Sequence, residues 1–281
     1  MPRPVRPRPA ARPARSTGKG RIAGGKKALR KGRGVRWGRV ALVALLGLAA
    51  VVGAFFLSLP SVEPLRAGPA PVTAMMAARF EESAKAGRAA RHNQHWVRLE
   101  SISPLLREAV VNSEDARFFD HEGVDVVETQ AALERAVQQG HLGRGASTLT
   151  QQLAKNLWLG EERSLLRKVK EAVLARRLEA LGKERVLELY LNVVEWGDGI
   201  YGADAAARVW FGKPALQLRA EEAAILAAML PAPRRRNPRH PSARLKTRAR
   251  EILELYGLYH QLPADELQAA RARLSETLGA P

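Results

Sequence analysis

The stretch GRGASTLTQQLAKNLWL, residues 143–159, sets the reading of the whole body of this chain. A Gly/Ser/Thr turn runs into Thr148, and Gln151 stands three residues on, the spacing at which a capping hydroxyl and a returning amide start a helix. Leu149, Leu153 and Leu157 then share one face, while Thr148, Gln151, Gln152 and Lys155 fall at i, i+3, i+4 and i+7 on another. This is a capped amphipathic helix whose N-terminus offers free amides to an anion. Its polar stripe lines up hydroxyl, amide and ammonium donors, which suits a sugar linked to phosphate; a well-capped surface helix is the plainer alternative.

Upstream lies VVNSEDARFFDHEGVD, residues 110–125. Leu106, Val110 and Glu114 continue one i, i+4 row, so a helix that persists to Glu114 puts this carboxylate on its apolar side. A half-buried glutamate has a raised pKa and can take a proton near neutral pH. Asp115 points elsewhere, and Phe118 and Phe119 wall the spot against water. A helix end with solvated acids is the alternative. Downstream, in ERSLLRKVKEAVLARRLEAL, residues 162–181, Glu171 shares a face with Leu174 and Leu178, with Arg167 one turn before. Spacing alone favours an ordinary ion pair between Arg167 and Glu171, worth about 0.3 kcal/mol; a carboxylate that faces a cleft, its pKa set by that arginine, is the alternative.

Helical periodicity dominates from Trp96 onward. Ser103-Pro104 is a good N-cap and first helical position, and further helices are expected over 149–159, 165–181, 184–194, 221–230 and 244–259. No alternating strands and no internal repeat interrupt them. Residues 96–281 therefore read as one mainly α domain around one core. Residues 60–95 read as a stalk and a juxtamembrane helix. The stalk, PSVEPLRAGPAPV, holds four prolines that favour stiff, extended chain. The helix carries Met75, Met76 and Phe80 on one side, to rest on lipid or on the body.

Residues 40–59, VALVALLGLAAVVGAFFLSL, run for 20 residues without a charge, long enough to cross a bilayer. Residues 1–39 carry 14 Lys/Arg and no acid, so they read as a disordered basic tail on the cytoplasmic side, with the body outside. The formal charge of +18 suggests nucleic acid until it is divided: 46 basic residues less 14 leaves 32 against 28 acidic ones. Anionic lipid accounts for the tail, and a nucleic-acid role would place the body on the wrong side of the membrane. Within the tail, GRIAGGKK and STGK imitate a phosphate loop and an SxxK nucleophile but lack the strand and the fixed base these need. There is no cysteine, so the fold has neither disulfides nor thiolate sites.

Four segments together resemble the biosynthetic peptidoglycan glycosyltransferases, glycosyltransferase family 51. EDARFFDHEG fits EDxxFxxHxG, GASTLTQQ fits GxSTxTQQ, RKVKE fits RKxxE, and KERVLELYLN fits KxxILExYLN with Val186 at the isoleucine position. AAILAAMLPAPRRRNP is similar to the family's closing segment. The resemblance implies a lysozyme-like, two-lobed helical fold with an N-terminal transmembrane helix. It also implies a monofunctional enzyme at the bacterial inner membrane, single-pass, with its catalytic domain periplasmic.

The implied reaction transfers the growing lipid-linked glycan onto the 4-hydroxyl of the N-acetylglucosamine of lipid II, with inversion. It forms β-1,4 bonds and releases undecaprenyl pyrophosphate. Glu114 is then the general base, and Glu171 the second catalytic carboxylate, positioning the pyrophosphate directly or through a divalent ion. Asp115, Ser147, Thr148, Gln151, Gln152, Lys155, Arg163, Arg167 and Lys168 bind substrate, the cations holding the leaving group. His121 is structural. No cofactor is required and no dedicated metal site is expected, with Mg or Mn at the pyrophosphate left open. Expected partners are lipid II, nascent glycan and membrane lipids, with division or elongation proteins a further option, and no nucleic acid.

Two other readings stay open: a glycan hydrolase or lytic transglycosylase on a similar fold, and a silent membrane scaffold of the division machinery. The strip RRRNPRH, residues 234–240, sits in a run of eight Lys/Arg without an acid and is expected to rest on anionic headgroups.

Overall fold

The structure, a computed structural model, describes residues 37–140, 147–160 and 164–279. Residues 1–36 of the basic tail, its two imitation motifs and Arg163 lie outside these, while Trp37–Arg39, read as part of the tail, open the first helix. The chain divides at Gly53 into two compact units. Most of α1 (Trp37–Leu57) belongs to the first; over an 18-residue stretch its mean hydropathy is 2.8, it has no buried side chain, and it fits a single-pass membrane anchor.

The second unit is mostly helical. It contains α2 (Ala74–Lys85), α3 (Pro104–Glu114), α4 (Val126–Gln139), α5 (Leu149–Ala154), α6 (Leu165–Leu178) and α7 (Lys183–Val193), then α8 (Ala203–Phe211), α9 (Ala220–Met229), α10 (Ala243–Tyr259) and α11 (Ala264–Leu278). Short polar side chains start many of these helices by accepting an otherwise orphaned N–H. Thr73 accepts from Met76, Asp125 from Glu128, Ser164 from Arg167 and Ser242 from Leu245. Each such cap contributes about 1 kcal/mol. Ser103 precedes α3 as expected, but its hydroxyl donates to Leu218 O at 3.2 Å instead of capping.

Three short strands also form, which periodicity could not announce because two or three residues hold no period. β1 (Asn93–Gln94) pairs in parallel with β3 (Ile200–Tyr201), and β2 (Glu195–Gly197) pairs antiparallel with β3. Asn192, at the end of α7, fastens the neighbouring segment. Its side chain accepts from Val97 N and donates to Val97 O, both at 2.9 Å. The stalk is not a free spacer: a 3-10 turn forms at Glu63–Leu65, Leu65 is buried, and Arg185 donates to the carbonyls of Leu65 and Gly68. Met75 and Met76 are buried in the body. α2 packs on the turn that follows α5.

Two packings place the site. α3 lies against α9 and α10, and α5 lies against α6 and α7. Gly123 joins them: its φ is +87°, and a Cβ there would sit 2.8 Å from the backbone carbon of Ala175 in α6. Left-handed backbone and a contact with main chain that cannot yield both demand glycine. Gly123→Ala is expected to destabilise the protein by about 3 kcal/mol or more, read as a fall in Tm of roughly 6–12 °C. An unchanged Tm would show that α6 can move away from this turn.

Candidate active site

Asp115 follows the last residue of α3 and is 9% exposed. Its carboxylate accepts from the backbone N–H of Leu149 at 2.9 Å, at the start of α5, and lies 3.0 and 3.1 Å from His121 Nε2. Gly123 N–H donates to His121 Nδ1 at 3.2 Å, so the ring proton sits on Nε2 and is given to Asp115. Thr148 donates its hydroxyl to Gly123 O at 2.6 Å and accepts from Gln151 N, while Gln151 Oε1 accepts from Thr148 N. The expected capping box is present, and it is buried: Thr148 and Gln151 spend their polar atoms on the cap. Burial raises the Asp115 pKa above its ordinary value despite these donors.

This knot turns Glu114 toward a cleft of about 820 Å3. Gln152 and Lys155 join Glu114 on its wall, so the stripe read from the sequence divides into two buried residues and two lining ones. Lys155 opens a π-helical turn, Lys155–Leu159, that ends α5. From α6 come Arg167 and Lys168, both paired with Glu171, which is 3% exposed: Arg167 Nη1 lies 2.5 Å from Glu171 Oε2, and Lys168 Nζ bonds Oε1. Lys168 also donates to Ser147 Oγ at 2.8 Å, bringing that serine to the wall. The Nε–H of Arg167 is buried without a partner among the described residues.

The far wall was not read from the sequence as part of the site. Leu230 and Pro231 follow α9, and Arg236, Arg244, Arg248 and Glu251 complete the lining. Arg248 donates to Ser113 O at 3.1 Å and to Glu251 at 3.2 Å. The expected headgroup strip does not hold together. Arg234 pairs with Glu82 of α2 at 2.9 and 3.0 Å, Arg236 is 9% exposed and donates to Ala228 O, and Arg239 lies over Trp210 at 5.5 Å. The acid-free run of basic residues was the available signal; Glu82, which draws Arg234 aside, is distant in sequence.

The cleft thus sets Lys155, Arg167, Lys168, Arg236, Arg244 and Arg248 against Glu114, Glu171 and Glu251. Such a site takes a strongly anionic group and offers one base beside it. The sequence profile of the transglycosylase family matches residues 81–256. The chain belongs to the transglycosylase family. It is similar to proteins named biosynthetic peptidoglycan transglycosylase. The one from Rhodospirillum centenum is 46% identical over 209 residues, 74% of this chain and 85% of the relative. The one from Nitrosomonas eutropha is 43% identical over 182 residues, 64% of this chain and 75% of the relative. In this transglycosylase the family match takes in every cleft residue named above and stops short of α11.

Burial pushes the Glu114 carboxyl above its ordinary value, against the pull of the Gln152 N–H and of Arg248 and Arg236. A carboxyl raised in this way keeps its proton longer in the folded state, so its contribution to stability falls as pH rises from about 4.5 through the folded value. Glu114→Gln removes that penalty. At pH 7 it is expected to raise Tm by roughly 1–3 °C, with no gain near pH 4. A Tm that falls at pH 7 would mean that the carboxylate stabilises the fold.

Proposed function

We propose that this transglycosylase polymerises the glycan of peptidoglycan from lipid II, with Glu114 as general base. The observation that carries the reading is the pairing of one half-buried carboxyl of raised proton affinity with a cleft rich in cations. Glu114 takes the proton of the acceptor's 4-hydroxyl as that oxygen attacks C1 of the donor's N-acetylmuramic acid. The bond from C1 to the pyrophosphate oxygen breaks in the same displacement, with inversion from α to β. The pyrophosphate leaves with the electron pair, and Lys155, Arg167 and Lys168 bear its charge. A pyrophosphate is a weak base, so the step needs cations rather than a strong general acid.

Glu171 acts through its two cations. With both oxygens engaged it is a positioning residue that aims Arg167 and Lys168 and keeps them from splaying apart. The same engagement argues against a two-carboxylate glycan hydrolase, in which one carboxylic acid protonates the leaving group and a second, free carboxylate serves as base or nucleophile. Both Glu171 oxygens already serve Arg167 and Lys168, so in this reading those cations, and not a divalent ion, meet the pyrophosphate. No step is routed through a metal. A lipid-linked substrate suits a body tethered by α1, with residues 1–36 cytoplasmic and the cleft on the outer side.

Incubating the full-length protein with labelled lipid II in vesicles is expected to give polymer that lysozyme digests. Glu114→Gln should cut turnover by roughly 100- to 10,000-fold while leaving a cooperative melt. Polymerisation near the native rate would remove Glu114 as the base. For topology, a protease confined to the outer face of the inner membrane should digest the body and spare the tail; the opposite pattern would invert the orientation.

A further inference from the structure

Gln152 stands between the proposed base and a residue outside the cleft. Its Nε2 donates to Glu114 Oε2 at 3.1 Å, and its Oε1 accepts from the Tyr190 hydroxyl at 3.0 Å. Tyr190 belongs to α7, where KERVLELYLN supplied a motif but no role, and it is fully buried.

A side-chain amide can be turned over, exchanging its N–H and its C=O. The orientation seen here puts the donor toward Glu114, which suits an ionised carboxylate because that group only accepts. The reversed orientation would put a carbonyl there, which suits only the protonated acid. The amide's orientation and the proton on Glu114 are therefore linked. The Tyr190 phenol decides between them, because a phenol is a stronger donor to an amide oxygen than an acceptor from an amide N–H. Burial keeps that phenol protonated, its pKa lying well above the ordinary tyrosine value.

We propose that Tyr190 is a positioning residue for the reaction: its buried hydroxyl fixes the Gln152 amide so that the N–H, and not the carbonyl, faces Glu114. The base is thereby held by one donor on Oε2. Glu114 receives its hydrogen bond from a group whose orientation is set in the core rather than by solvent. The inference rests on Glu114 being the base.

The test is the pH dependence of kcat/KM for lipid II in vesicles, using the full chain. In Tyr190→Phe the amide loses its bias, and the acidic limb should move up by about 0.5–1 pH unit. The high-pH plateau should stay within about twofold of native, and KM should be unchanged. On the acidic side the loss should therefore reach about three- to tenfold. In a Gln152→Leu background, Tyr190→Phe should produce no further shift. 3-Fluorotyrosine at 190 keeps the packing and strengthens the donor, so it should move the limb down, and it serves if the phenylalanine variant melts poorly. An unmoved limb in both variants, or a loss equal at every pH, overturns the relay. Glu114→Gln assayed alongside separates the two ideas: retained turnover sinks the base and the relay together, whereas abolished turnover with an unmoved limb overturns the relay alone.

Discussion

The carboxylate of Asp115 ties the end of one helix to the start of another, and the cleft depends on that tie. By accepting from Leu149 N–H it satisfies an orphan donor at the N-terminus of α5 and sets its negative charge against the positive end of that helix. His121 holds it from the other side, itself oriented by Gly123. Gly123 in turn receives the Thr148 hydroxyl, closing the ring. Because Asp115 is adjacent to Glu114, holding the first carboxylate fixes where the second emerges. Gln152, one turn into α5, then lies within hydrogen-bond reach of Glu114 as a consequence of the same tie.

Charge is arranged on the same plan, with Glu171 and Asp115 each held by two donors and Glu114 by one. Glu171 has two cations at contact distance. Asp115 has an imidazole N–H and a backbone N–H. Glu114 has one neutral amide donor, with Arg236 and Arg248 acting on it through space. Burial therefore outweighs the attraction and leaves this carboxyl with a raised proton affinity. A guanidinium placed directly on Glu114 would have made it a better-stabilised anion and a weaker base.

Local rules made α5 and the position of Glu114 legible in the sequence. The capping box is a three-residue spacing, and the Leu106, Val110, Glu114 row is a helical period, so neither needs tertiary information. α4 was missed for a physical reason: Val126, Val127, Leu133 and Val137 are all exposed, and of its side chains only Ala136 is buried, so its apolar residues do not mark a core face. α11 is different, because Ala270, Leu274 and Leu278 form a buried i, i+4 row that was available to periodicity. Within the site, the cations of α6 were readable from RKVKE. The far wall, the pairing of Arg234 with Glu82, and the bond from Tyr190 to Gln152 depend on partners far away in the chain. Arg234 and Glu82 are 152 residues apart, which no local period encodes.

The far wall poses a problem that α11 helps to solve. α9 is buried along its length, yet its first turn carries Glu221 and Glu222, the former 0% exposed. Two acids at a helix N-terminus complement its dipole, but buried charge is tolerated only when paired and hydrogen-bonded. Glu222 accepts from Lys213 Nζ at 2.8 Å and from Arg219 N at 2.9 Å. Glu221 is met by Arg219 and, at 2.8 Å, by Arg273 of α11. Arg271, two residues earlier, pairs with Glu254 of α10. α11 thus touches both helices that bear the far wall, and its Arg273 pairs with Glu221 at one end of α9. Fixing that end fixes the register of the whole helix, because a buried helix packed on α3 and α10 moves as a rigid rod. Its other end delivers Leu230 and Pro231 to the lining of the cleft that holds Glu114. A segment beyond the family match therefore supports part of the cleft wall through ion pairs at the opposite end of α9.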